Sequence, residues 1–181
     1  MMKESTFLLT NKRKAPALLL GLVAVIASHS AIADTQLNIT GTIKASPCTI
    51  NIPTGGVNVD LGDSIEASSL ITAGSATAWK PIAIEVNSCP ATTTSATMTL
   101  NGTPDTTETQ MYKNTGSATE VQIELQSAAG ASLGDGSTMV QDIDSKTNGT
   151  TFNMQARAYS SAGKATPGDI NGVVQLSFVY Q

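Results

Sequence analysis

Apolar and polar residues alternate along the stretch GDINGVVQLSFVYQ, residues 168–181. Ile170, Gly172, Val174, Leu176, Phe178 and Tyr180 fall on one side, and Asn171, Gln175, Ser177 and Gln181 on the other. A period of two is that of a β-strand with one buried face. Val173 and Val179 interrupt the polar side, which places the strand well inside a sandwich rather than at its edge. Such a strand has neighbours on both flanks. Similar runs recur upstream between Gly, Pro, Asn and Asp: CTINI (48–52), VNVDL (57–61), PIAIEVNSC (81–89), ATMTLNG (96–102), EVQIELQ (120–126) and TFNMQARAY (151–159). Thr147-Asn148-Gly149-Thr150 supplies a tight-turn dipeptide just before the last of these. No segment of ten or more residues carries a 3.6-residue period, so the expected class is all-β. The number and spacing of the strands predict a Greek-key sandwich of immunoglobulin type, with a small barrel as the alternative.

Two segments precede these strands. Lys12-Arg13-Lys14, an apolar run over residues 15–27 and the small-x-small site Ala31-Ile32-Ala33 form the layout of a secretory signal. The run is too short to span a bilayer comfortably. Residues 1–33 are therefore expected to be a signal peptide, with the mature chain starting at Asp34; a retained anchor is the alternative. Next, DTQLNITGTIKASP (34–47) alternates Leu37, Ile39, Gly41 and Ile43 against Gln36, Asn38, Thr40 and Thr42, the pattern of another strand. It is either the first strand of its own sandwich or, lying at a terminus outside the cysteine loop, a spare one. The final strand is expected to lack a downstream neighbour to complete its sheet. A spare strand at the start and a missing one at the end complement each other between copies or relatives. That is strand addition at a sheet edge, and its head-to-tail contact makes open fibres.

Charge and composition exclude several functions. The chain carries a net charge of −4, and loss of the leader removes four cations and one anion, giving −7. That is no footprint for nucleic acid. The only histidine, His29, lies in the leader, so the mature chain has no imidazole for a general base, a catalytic triad or a zinc site. A Ser-Lys or paired-carboxylate hydrolase is left open by composition. Cys48 and Cys89 are the only cysteines, and an even pair in an exported chain reads as a disulfide. Asp135, Asp142 and Asp144 sit in a Gly/Ser-rich stretch without a 12-residue calcium loop and read as loop acids. Trp79 reads as core or as a lid over the disulfide region. No catalytic residue, metal, cofactor or small-molecule substrate is expected.

The spacing from Gly41 to Cys48, the second cysteine in NSCP, Gly168 fourteenth from the end and the penultimate Tyr180 resemble the subunits of chaperone-usher fimbriae. The stretches TGTIKASPCTI, VDLGD, ITAGSATAWKPIAIEVNSCP and YKNTGSATEVQIELQ are similar to the tip adaptor of type 1 fimbriae. The resemblance implies an incomplete immunoglobulin-like fold without its C-terminal strand, completed by a donor strand. It implies a donor-strand extension over residues 34–46 and a pilin domain over 47–181. Leu37, Ile39, Gly41 and Ile43 would be the donor positions. Gly168, Ile170, Val174, Leu176, Phe178 and Tyr180 would line the acceptor groove, and the Gln181 carboxylate would meet a chaperone. The implied partners are a periplasmic pilus chaperone, an outer-membrane usher and neighbouring fimbrial subunits, with the product a fimbrium on the bacterial surface. A rod subunit of the same fimbria and a small secreted carbohydrate-binding module are the alternatives.

Overall fold

The computed structural model describes residues 40–42 and 47–181. The strands lie within one compact unit, Thr42–Gln181. They are β1 (Thr49–Asn51), β2 (Ser75–Ala76), β3 (Lys80–Asn87), β4 (Ser95–Gly102), β5 (Tyr112–Lys113), β6 (Gln122–Ser127), β7 (Thr138–Asp142), β8 (Thr150–Ser160) and β9 (Val174–Tyr180). One sheet runs β1-β3-β8-β6-β5, with β2 also on β8; the other runs β7-β4-β9. Every pairing is antiparallel. From β3 onward the chain changes sheet at every connection except β5 to β6, so the ladders join segments far apart in sequence. The all-β expectation holds, with one 3-10 turn, Ala67–Leu70, as the helical element among the described residues.

Period-two alternation builds the core. Phe152, Met154, Ala156 and Ala158 of β8 point inward and are buried, as are Ala96, Met98 and Leu100 of β4 from the facing sheet. Phe152 and Phe178 meet edge-to-face across the sandwich with centroids 5.9 Å apart, a favoured aromatic geometry. Cys48 and Cys89 form a buried disulfide that ties the residue before β1 to the segment after β3. The three-residue β1 ladder would otherwise rest on few bonds.

Several local expectations needed correction. VNVDL (57–61) forms no ladder. A cavity of ≈ 250 Å³ lies between Val57–Asp60 and the Lys80–Ala83 part of β3 and separates the segment from that strand. The terminal strand begins at Val174 rather than Ile170, because residues 168–171 are engaged by another loop. The sequence reading missed β2, β5 and β7: β2 and β5 have two residues each, and outward Val140 disguises the alternation of β7. The Asn148-Gly149 pair turns within a wider loop, closed by Asn148 N–H donating to Asp144 C=O at 2.7 Å. Trp79 is half-buried rather than core, and it faces no disulfide: the Arg157 guanidinium stacks 4.1 Å from its ring centroid.

Candidate functional site

The edge of β9 is the starting point. Ser95 and Gln181 exchange N–H···O bonds in both directions, at 3.1 and 3.0 Å. An antiparallel ladder alternates residues that bond to the neighbour with residues that do not. With the register Thr97↔Val179, Thr99↔Ser177 and Asn101↔Gln175, those residues direct their backbone groups toward β4. The N–H and C=O groups of Val174, Leu176, Phe178 and Tyr180 point the other way. Among the described residues no strand pairs with that edge. Such a row is a template for another chain.

Beside this edge lies a groove of ≈ 700 Å³. Val174 and Leu176 form one wall, residues 57–63 the other, and Ile84, Ile123, Leu125 and Met154 of the first sheet the floor. Of the residues singled out from sequence, Gly168, Ile170, Val174 and Leu176 line it. Phe178 and Tyr180 do not: their side chains pack into the core at the far end of β9. The Gln181 carbonyl accepts from Thr94 N–H at 2.5 Å and Ser95 N–H at 3.1 Å. Leu37, Ile39 and Ile43 lie outside the described residues, whereas Gly41 is described, exposed and open on its Cβ side.

One end of the groove is held by side chains that sequence reasoning did not single out. Asn114 Nδ2 donates to Ala118 C=O at 2.8 Å and Asp169 C=O at 3.3 Å. Its Oδ1 accepts from Gly116 N–H at 2.9 Å and Asn171 N–H at 2.8 Å. Ser117 Oγ accepts from Asp169 N–H at 2.8 Å. Two glycines let these loops interlock: a Cβ on Gly116 would strike Asp169 C=O, and one on Gly168 would strike Ala118 N. The signal available in sequence was Asn-Thr-Gly-Ser after Tyr112-Lys113, since Asn side chains bond nearby backbone in turns.

Tyr112 lies against the floor, buried, with no partner for its hydroxyl. Burial, then the Asp135 carboxylate, push its pKa up to about 12. Burial also raises that of Tyr180, whose hydroxyl likewise lacks a partner. Asp135 is a loop acid with a structural bond, accepting Gly102 N–H at 2.8 Å, and Asp144 accepts Lys146 N–H at 2.7 Å. The arrangement has an extended trough with an apolar floor and polar rims, beside a row of backbone groups that no strand among the described residues takes up, suited to receiving a strand.

The fimbrial protein family model matches residues 37–181. Protein FimG of Escherichia coli strain K12 is 36% identical over 162 residues, covering 88% of this chain and 94% of that protein. The S-fimbrial adhesin protein SfaS of Escherichia coli strain 536 is 33% identical over 169 residues, 93% of this chain and 99% of that one. Among solved structures, the P pilus rod subunit PapA matches with a TM-score of 0.62 at 19% identity, covering 75% of this chain and 100% of its own. A chain from a chaperone-usher pilus structure gives 0.62 at 20% identity, with 86% and 100% covered. These structural likenesses carry the fold, an immunoglobulin-like pilus-subunit sandwich.

Proposed function

Because this chain belongs to the fimbrial protein family, we propose that it is a structural subunit of a chaperone-usher fimbria, serving as a tip adaptor between adhesin and rod and polymerising by donor-strand exchange. The observation that carries the reading is the edge of β9, unpaired among the described residues, beside a groove with an apolar floor. A strand laid there bonds to the free backbone groups of Val174, Leu176, Phe178 and Tyr180 and covers the floor. Main-chain bonds give such an addition its affinity, and the pockets for alternate side chains give its specificity. The adaptor role rests on the likeness of the four quoted stretches to tip adaptors and on the match to FimG along most of both chains.

In this reading residues 1–33 direct export, 34–46 donate a strand to the subunit ahead, and 47–181 form the pilin domain. A periplasmic chaperone lends a strand to the groove, and an outer-membrane usher exchanges it for the next subunit's extension. The fibre is then displayed on the cell surface. Donation and acceptance belong to different parts of the chain, so they separate by mutation. Ile39→Asp or Ile43→Asp forces a carboxylate into an apolar site, which costs several kcal/mol, and is expected to abolish donation while leaving chaperone binding and acceptance unchanged. Strand exchange with each variant offered first as donor and then as acceptor measures both. If these variants lose chaperone binding, the segment is part of the subunit's own sandwich and the mechanism is wrong.

A further inference from the structure

The groove has a charged end. Its lining includes Asp60 and Asp63 on one wall and Asp169 at the end, all exposed, and no lysine, arginine or histidine, although Asp60 also borders the neighbouring cavity that Lys80 lines. The segments that carry them meet in the fold. Leu61, Ile65 and Ile170, their neighbours in sequence, pack on the same small cluster of Leu70, Ala118 and Ala165. The floor there is apolar and the rim is acidic, so a strand occupying this end meets two environments on its two faces.

Resting on the strand-accepting reading above, we infer that the groove is occupied by an extended segment of a neighbouring subunit carrying a lysine or arginine next to the apolar residue seated at the Asp60–Asp63–Asp169 end. Successive residues of a strand point to opposite faces. An apolar residue turned to the floor therefore turns the next residue to the rim, and a long basic side chain there keeps its head in water beside the carboxylates. The second sheet is antiparallel throughout. A strand added antiparallel to β9 brings its C-terminal part to the start of β9, which is this end. The sequence holds a segment with that chemistry: in residues 34–46 the alternating apolar positions end at Ile43, and Lys44 follows. Exposed charge pairs contribute modestly and act mainly on specificity and association rate. The acid rim thus selects among donor strands and fixes their register, while the apolar floor supplies most of the affinity.

The test uses the full chain as acceptor and the synthetic peptide of residues 34–46 as probe, with Lys44→Ala and Lys44→Glu versions. Binding ratios are read within one acceptor, so competition from the chain's own segment cancels. The expected loss is about threefold for Lys44→Ala and about tenfold for Lys44→Glu at low salt. Both differences are expected to collapse in 1 M salt, where screening acts within about 3 Å. They are also expected to collapse in an Asp60→Asn, Asp63→Asn, Asp169→Asn acceptor. Asparagine keeps the oxygen that takes Gly62 N–H at position 60 and Ser64 Oγ–H at position 63, so this acceptor retains its local bonds. Equal binding of the three peptides to the unaltered chain, or a Lys44 effect that persists in the Asn acceptor, overturns the charge assignment while the strand-accepting groove stands. Failure of every peptide to bind overturns this inference, while the groove reading is decided separately by acceptance of a neighbouring subunit's strand in the exchange assay.

Discussion

Leu100 and Leu176 are direct cross-strand partners in the β4–β9 ladder, yet they face different surroundings. Leu100 is 0% exposed among core side chains, whereas Leu176 is half-buried on the groove wall. Leu100→Ala removes a fully enclosed side chain and is expected to cost about 3 kcal/mol, whether or not the groove is filled. Leu176→Ala is expected to cost about 1.5 kcal/mol in the free subunit, because part of that side chain already meets water and its neighbours on one side are missing. A strand in the groove covers the exposed part and makes Leu176 as enclosed as Leu100. The cost should then rise toward 3 kcal/mol, and by linkage the extra ~1.5 kcal/mol appears as about a tenfold weaker strand affinity. The assay is urea unfolding of each variant with and without saturating donor peptide, alongside peptide titration of the folded proteins. Equal cost of Leu176→Ala in both states, with unchanged peptide affinity, would refute the claim that this wall is completed from outside.

The disulfide closes a sequence separation of 41 residues; Cys48→Ser with Cys89→Ser should lower stability by about 4 kcal/mol in the chain-entropy account, read from urea midpoints with the wild type in reductant as control. For Tyr112, a folded pKa of about 12 against 10.0 unfolded means that the folded state holds the proton more tightly, so stability is full below pH 10 and falls as pH rises toward 12. Tyr112→Phe removes both that alkaline loss and an unpartnered buried hydroxyl, and should be neutral or slightly stabilising at pH 7; a clear destabilisation there would reveal a bond the hydroxyl makes.

The strands with strict alternation were readable because one face of each is enclosed. TFNMQARAY differs from β8 by one residue at each end, and ATMTLNG from β4 by one. VNVDL failed as a strand although its alternation is regular: Val57 and Val59 are exposed on the groove wall, so the pattern announced neither burial nor a backbone partner alongside. Trp79 misled for a related reason: its large apolar surface is covered by the Arg157 side chain, a partner 78 positions away that no local pattern announces. Arg157 is itself fixed by Glu124, with Nε donating to Oε2 at 2.6 Å. One wall and one end of the groove were legible in the terminal run. The Asn114 hydrogen-bond cluster was not, because its bonds to Asp169 and Asn171 depend on a loop approach made in three dimensions.

The two ends of β9 do different work, and that division explains how the strand keeps its place with one edge unpaired among the described residues. At one end Phe178 meets Phe152 across the sandwich, and Gln181 is bonded to Ser95. At the other, Asn114, Ser117 and the two interlocking glycines fix residues 168–171. Between these anchors Val174 and Leu176 are paired to β4 on one side and open on the other. A strand held at both ends loses little further backbone freedom when a partner adds to it. Preorganisation of this kind reduces the ordering cost of association. Under the strand-accepting proposal the groove is thus a template held at both ends, and the incoming segment is the element that must order as it binds.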